Sequence, residues 1–286
     1  MSTTTAEWRR FFAEEIQIVA NIRTPAIVDA FATVPREAFL PPGPWTIRGD
    51  SDLQSGPRQT PGADPRFVSH NVAIAIEPER MLFNGAPGLL ATAIDALEPE
   101  AGNRALHLGA GTGYYSAILA AVVGSTGRVL ALEVDDTLAG RARNTLAAAP
   151  HVEVRASDGT KPFEETFDIA LVNAGLTHVP AHLLDAMQPG GRLVVPITAT
   201  MPGMGNIGKG LLIRMVNSGG DRWPVRVITF VAIYSAVGLR DEALNAAIGQ
   251  ALGRHPFPPI KSLRRDPHES DASCWCHTPG ACLSLT

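Results

Sequence analysis

Lysine is nearly missing from this chain: among 286 residues it stands only at positions 161, 209 and 261, and arginine carries almost all the positive charge. That scarcity reads as a compositional bias and not as a binding signal. The formal net charge is -4 and the pI is near 6.1. Nucleic-acid binding needs a concentrated positive surface, and the pairs Arg9-Arg10 and Arg264-Arg265 are too small to supply one. Cysteine is scarce too. The three cysteines all fall between Cys274 and the end of the chain, and an odd, clustered set is not a disulfide framework. Long apolar runs are also lacking: the stretch Tyr114 to Val123 is too short to span a bilayer. The first residues have no apolar segment followed by a small-residue cleavage site. These absences predict a cytoplasmic protein without membrane or nucleic-acid partners. The composition, 45% hydrophobic and 18% charged, is that of a globular chain able to bury a substantial core.

Residues 6 to 20 place Trp8, Phe11, Phe12, Glu15, Ile16 and Val19 near helical spacing, which predicts a first helix. Thr24-Pro25 looks like an N-cap with proline at the first helical position, opening a helix that Val34-Pro35 ends. From Pro41 to Pro65 the density of Pro, Gly, Ser and Asp predicts a long surface loop, either a lid or a plain connector. From Gly102 onward strands and helices alternate. Strands are expected at 104–108, 127–132, 152–156, 167–172 and 191–197, with helices at 114–123, 136–148 and 182–187. This alternation implies an α/β fold, Rossmann-like, with a mostly parallel twisted sheet and helices on both faces. The segments 211–216 and 225–236 flank Asn217-Ser218-Gly219-Gly220-Asp221 and predict an antiparallel hairpin closing one edge. A last helix is expected at 241–252, followed by a Pro-rich, largely irregular tail. The domain plan is then an N-terminal cap over 1–80, a core over 81–240 and a C-terminal helix and tail over 241–286.

The most informative stretch is ALHLGAGTGYYSAILA, residues 105 to 120, where a buried strand runs through Gly109-Ala110-Gly111-Thr112-Gly113 into a helix. Glycines in such a turn let a ligand approach the main chain, and the free N–H groups at the helix start suit a carboxylate or phosphate. Glu133 ends the next strand, about twenty residues on, where an acidic side chain can accept hydrogen bonds from both ribose hydroxyls. Asp158-Gly159 follows the third strand, within reach of an adenine amino group. Helix capping or a solvated loop is the alternative for either acid, but three features at successive strand ends favour a binding site. The spacing is the compact G-x-G-x-G, and Tyr114 stands where a dinucleotide motif has its third glycine, so S-adenosylmethionine is expected and not NAD.

With these residues in view the chain resembles the protein-L-isoaspartate O-methyltransferase family. VPREAFLP (34 to 41) is similar to that family's N-terminal signature, LHLGAGTGYYSAILA (106 to 120) to its cofactor loop, and EVDDTLAGRARNTL (133 to 146) to its ribose-binding segment. SDG (157 to 159), FDIALVNAGLTHVPAHLLDAMQPGGRLVVPI (167 to 197) and ITFVAIYSA (228 to 236) resemble its adenine-side turn, its fourth and fifth strands and its closing strand. The resemblance implies a class I methyltransferase fold. It implies cofactor contacts at Gly85, Pro87, Gly109, Ala110, Gly111, Thr112, Gly113, Tyr114, Glu133, Val134, Asp158, Gly159 and Asn173. The expected substrate is a peptide, protein or small-molecule carboxylate.

One departure stands out. Where the family has Thr-Ile-Ser-x-Pro, this chain reads Phe83-Asn84-Gly85-Ala86-Pro87, with glycine in place of the serine. Methylation of isoaspartyl peptides is therefore expected to be weak or absent, and Gly85→Ser to restore a hydroxyl without adding much volume. Asn84 is a candidate catalytic residue that orients the acceptor carboxylate, or else a turn residue. His178, just after the fourth strand, is a candidate base for a hydroxyl or amine acceptor, or else a capping or packing residue. Either Tyr114 or Tyr115 lines the pocket and the other is core. His70 reads as a loop residue. Cys274, Cys276, His277 and Cys282 raise the question of a metal, but C-x-C departs from zinc spacing and no metal is assigned. Trp275 points instead to a tail docked by a buried aromatic. A non-catalytic protein that binds the cofactor or a partner is the remaining alternative.

Overall fold

The structure, a computed structural model, describes residues 4–49, 55–200, 203, 206–254, 257–278 and 280–286. Positions 50–54 of the expected loop, and 255, 256 and 279 of the expected tail, lie outside the described residues. The described α-helices are α1 (Thr5–Ala20), α2 (Pro25–Thr33), α3 (Pro87–Ala96), α4 (Tyr114–Val123), α5 (Asp136–Leu146), α6 (Ala181–Asp185) and α7 (Glu242–Arg254). The first strands are β1 (Thr46–Arg48), β2 (Arg58–Gln59), β3 (Ala73–Glu77), β4 (Leu82–Phe83), β5 (Arg104–Leu108), β6 (Arg128–Glu133) and β7 (Val152–Ala156). They are followed by β8 (Phe167–Val172), β9 (Met187–Thr200), β10 (Ile207–Val216), β11 (Arg222–Tyr234), β12 (Ser262–Arg264), β13 (Cys274–Cys276) and β14 (Cys282–Ser284). Two compact units form: Met1–Gly102 with Ala110–Ala156, and Asn103–Gly109 with Ser157–Thr286.

In the first unit, α1 starts at a capping box in which the Thr4 side chain accepts from the Glu7 N–H and Glu7 answers the Thr4 N–H; left-handed Asn21 ends it. Its buried line is Phe12, Ala13 and Ile16. Phe11 and Val19, expected on the same face, are 59% exposed, because only a narrow stripe of α1 packs against α2 and α3. Pro25 opens α2 as expected, but the Thr24 side chain caps nothing. Asp95 of α3 instead holds the chain leading into α2, accepting the N–H groups of Arg23 and Thr24 at 3.2 and 3.0 Å. Helix α2 lays Ile27, Val28 and Phe31 into the core and packs on α4.

The expected loop over 41–65 is in part a small antiparallel sheet, ordered β2-β1-β3-β4. Trp45 and Ile47 are buried with Val68 and Ile74, and the Trp45 indole N–H donates to Pro41 O at 2.7 Å. The Pro and Gly content marked the turns correctly, but strands of two or three residues are too short to show alternation. The rest of the unit is a βαβ step: β6 and β7 pair in parallel, and α5 crosses between them. Leu138, Ala142 and Leu146 are its buried face, as expected.

In the second unit β5, β8 and β9 pair in parallel, and β10 and β11 continue from β9 antiparallel. The expected hairpin is present, with Asn217 to Asp221 as its turn, but it does not close an edge. Strand β12 pairs with β11, and β14 and β13 follow. The tail expected to be irregular thus forms three strands of three residues, and it buries Trp275 as expected. Helix α7 packs on β9 and β13. Among the described residues no helix is long and apolar enough to cross a membrane.

His107 of β5 is wholly buried, and burial pushes its pKa from 6.5 down to about 3. Below pH 6.5 the unfolded chain binds a proton that the folded chain refuses. The stability tied to this neutral histidine is complete above that pH and falls by about 1.4 kcal/mol per unit as the pH drops towards the folded value. Urea unfolding is predicted to show a loss of about 2 kcal/mol from this group between pH 6.5 and about pH 5. His107→Gln should lessen that loss; an identical pH slope in the variant would contradict the assignment.

Candidate cofactor and active site

In the first unit the glycine loop is tied directly to Glu133. The Gly111 N–H donates to one carboxylate oxygen at 2.6 Å, and the Asp135 N–H donates to the other at 3.0 Å. The Ala110 N–H donates to Leu132 O at 3.0 Å, and Gly113, the N-cap of α4, donates to Ala110 O. Glu133 is 7% exposed, so its carboxylate is held in one orientation. Each oxygen accepts from the main chain and keeps a free lone pair for a further donor. The helix cap of α5 is Asp135, which accepts from the Thr137 and Leu138 N–H groups, so the capping alternative for Glu133 does not apply. Val134, next in the chain, leaves its apolar side chain 46% exposed. Thr112 is buried.

The turn Asn84-Gly85 lies in the same unit. The Tyr115 hydroxyl donates to Gly85 O at 3.1 Å, which fixes this turn to the start of α4. Burial pushes the Tyr115 pKa up to about 12, so it remains a donor. The Asn84 carbonyl oxygen accepts from the Ile74 N–H at 3.1 Å and from Arg36 at 3.3 Å. Its amide nitrogen is buried and has no partner. An unpaired buried donor is costly to the fold. Pro87 opens α3, and the Gly88 N–H beside it donates to Asn71 Oδ1 at 2.8 Å.

Gly85 has φ +80, and a Cβ there would lie 2.8 Å from Leu90 Cδ2. The expectation that serine fits at this position at little cost is therefore overturned. The positive φ opposes any side chain there, while the Leu90 methyl is a side-chain tip that can shift. Gly85→Ser is predicted to lose about 1–3 kcal/mol of stability in urea unfolding and to gain no activity.

Tyr114 and Tyr115 are both core, each 2% exposed, against the expectation that one lines a pocket; for Tyr114 the packing is aromatic. Its ring is 2% exposed and meets Phe31, Phe39 and Tyr115 with centroids 6.1, 5.7 and 5.0 Å away. Any contact Tyr114 makes with a cofactor is through its main chain. Sequence reasoning missed Arg36, inside VPREAFLP. It is 2% exposed, donates to Val68 O, His70 O, Val72 O and Asn84 Oδ1, and lies over the Phe12 and Tyr114 rings. Burial lowers its pKa. A lone arginine reads as surface in a sequence, and only the carbonyls brought to it by the fold reveal its role. Asn71 was missed for the same reason.

In the second unit Gly109 ends β5 at φ +81, and a Cβ there would sit 2.9 Å from Asn173 O at the end of β8. The Asn173 N–H donates to Leu108 O at 2.8 Å and its amide to Gly109 O at 3.4 Å. Gly109→Ala is predicted to cost about 1–3 kcal/mol, read by urea unfolding, and to weaken cofactor binding in calorimetry. Wild-type values for both would refute the close approach. One Asp158 oxygen accepts from the Thr160 N–H and hydroxyl at 3.0 and 2.7 Å, and these bonds lower its pKa. Gly159 has its carbonyl 2.8 Å from the His182 Nε2. His178 is half-buried; burial lowers its pKa against the opposing influence of Asp241. It lines a pocket with Thr177, Ile197, Cys276, Thr278 and Leu283.

Parallel strands ending in a glycine turn, with an acid at the end of the next strand, define a class I methyltransferase, and solved structures share the fold. A protein-L-isoaspartate O-methyltransferase covers 91% of this chain and 72% of its own at TM-score 0.64 and 20% identity. A putative enzyme of that name from Plasmodium falciparum, solved with S-adenosyl-L-homocysteine, covers 80% and 97% at TM-score 0.60 and 14% identity. The family model for protein-L-isoaspartate(D-aspartate) O-methyltransferase matches residues 66–207. The Methanopyrus kandleri protein-L-isoaspartate O-methyltransferase is 32% identical over 194 residues, 66% of this chain and 76% of the relative. The Methylorubrum extorquens enzyme is 32% identical over 242 residues, 82% and 92%. The chain belongs to the protein-L-isoaspartate O-methyltransferase family. It is a methyltransferase, and its cofactor is S-adenosylmethionine.

Proposed function

We propose that this protein methylates a carboxylate presented by a peptide, of the isoaspartyl type, and that Asn84 does the holding that a serine hydroxyl does in its relatives. The observation behind this reading is the buried, unpartnered Asn84 amide, on a turn that Tyr115 ties to the start of α4. When bound, S-adenosylmethionine would supply a sulfonium methyl group for displacement by an ionised carboxylate oxygen, a transfer that leaves the carbon–sulfur electron pair on sulfur and needs no proton.

The residues fit that cofactor. The pinned Glu133 carboxylate has lone pairs to accept two ribose hydroxyls, and Val134 offers an exposed apolar face to a base. The glycine turn Gly109 to Gly113 lets the methionine end of the cofactor approach the main chain. Asp158, Gly159 and Asn173 are assigned to the cofactor from the strand ends of the second unit. The acceptor is ionised at neutral pH, so no base is needed, and the chain's task is alignment and exclusion of water. Asn84 donates to the acceptor carboxylate, and Arg36 and the Ile74 N–H hold that amide in orientation.

A second reading, a hydroxyl or amine acceptor with His178 as base, is favoured by one observation: burial lowers that imidazole's pKa, which favours its neutral form. A panel assay with labelled S-adenosylmethionine separates the two. Isoaspartyl peptides, aspartyl peptides, small carboxylic acids and small amines are offered side by side. We expect label in the isoaspartyl peptide, at a lower rate than a serine-bearing relative gives, and His178→Ala without effect on it. Label confined to amines or alcohols, abolished by His178→Ala, would favour the second reading.

A further inference from the structure

We propose that the C-terminal tail holds a zinc ion in a closed site made by His268, Cys274, His277 and Cys282. The ligand atoms of these four side chains all lie within 4.8 Å of one another. Cys274 Sγ is 3.7 Å from His268 Nε2 and 3.8 Å from His277 Nδ1. A tetrahedral zinc with bonds of about 2.3 Å to sulfur and about 2.0–2.1 Å to nitrogen needs neighbouring ligands roughly 3.4–3.8 Å apart. The cluster needs only slight contraction to meet that.

Two contacts prepare the ligands. His268 Nδ1 is 2.7 Å from Asp266 O and donates to it, which leaves the Nε2 lone pair facing Cys274. The Asp271 N–H donates to Cys274 Sγ at 3.5 Å, which fixes the sulfur in place. Two thiolates and two neutral imidazoles balance a divalent ion, which suits a cluster whose Cys282 is fully buried. Soft sulfur with imidazole selects zinc over magnesium or calcium, and four protein ligands leave no open position, as in structural sites.

The C-x-C spacing pointed away from zinc because it paired the wrong residues. The relevant pair is Cys274 and His277, a C-x₂-H step. A register shift in the β13–β14 pairing between Cys274 and Cys276 takes Cys276 out of the cluster and leaves it lining the His178 pocket. The ion would cross-link strands of three residues, which are too short to hold by themselves, and so fix one wall of that pocket.

The test uses the full chain, reduced, stripped with a chelator and titrated with cobalt(II), then zinc(II). Tetrahedral d–d bands and charge-transfer absorption from two thiolates are expected, displaced by zinc, with about one zinc per chain by mass spectrometry. Cys276→Ser should keep the ion; Cys274→Ser and His268→Ala should lose it. Because a ligand variant can misfold, thiol labelling of the wild type gives a second reading: zinc should protect two of the three cysteines. The proposal fails if wild type shows neither cobalt bands nor zinc, if three thiolates coordinate, or if Cys274 and Cys282 are found joined as a disulfide.

Discussion

Replacing Asn84 by alanine should slow methyl transfer by on the order of a hundredfold while leaving cofactor affinity near the wild-type value, the loss expected when an acceptor is misplaced by about 1 Å. The alanine variant has a second consequence. It strips an acceptor from the Ile74 N–H and from Arg36, both buried, and so costs about 1–3 kcal/mol of stability. Asn84→Asp separates the two effects. Its carboxylate still accepts from Arg36 and the Ile74 N–H, so the fold is kept. It cannot donate, and its charge repels an acceptor carboxylate. Turnover should therefore fall in Asn84→Asp at least as far as in the alanine variant, with calorimetric affinity for S-adenosylhomocysteine unchanged. Wild-type turnover in Asn84→Asp would remove the donor role.

Glu133→Ala should weaken cofactor binding by about 1.5–3 kcal/mol, roughly tenfold to a hundredfold, since a charge-assisted contact to two hydroxyls is lost. The same carboxylate accepts the Gly111 and Asp135 N–H groups, so its removal also loosens the glycine loop and the entry to α5. Glu133→Gln keeps the volume but turns an amide donor towards a main-chain donor, and it should bind almost as poorly. Calorimetry on folded protein, checked by circular dichroism, decides the matter. Unchanged affinity in both variants would show that Glu133 serves the loop alone.

These two residues differ in how they could be found. Glu133 was legible because its signal is local: a strand, a glycine turn and an acid at a fixed distance along the chain. The same locality made helix α4 readable to the residue, with Gly113 before it and Gly124 after it. Asn84 was picked out from its place before Gly85, but Arg36 and Asn71 were not legible, because their meaning rests on partners 17 to 48 positions away. Strands β1, β2 and β12 to β14 escaped for another reason. Two or three residues cannot establish a period of two, and the prolines around them argued for irregular chain. The glycine at position 85 misled in a third way. The comparison with the family's segment showed a missing hydroxyl, while the backbone shows a turn at positive φ that disfavours any side chain.

The most direct test of carboxyl methylation is the chemical stability of the label. The protein is incubated with methyl-labelled S-adenosylmethionine and an isoaspartyl peptide, and the labelled peptide is then exposed to mild alkali. A methyl ester hydrolyses and releases its label as volatile methanol, and that release is the expected result. Label that stays on the peptide through alkali would mark an ether or an amine and would contradict the account.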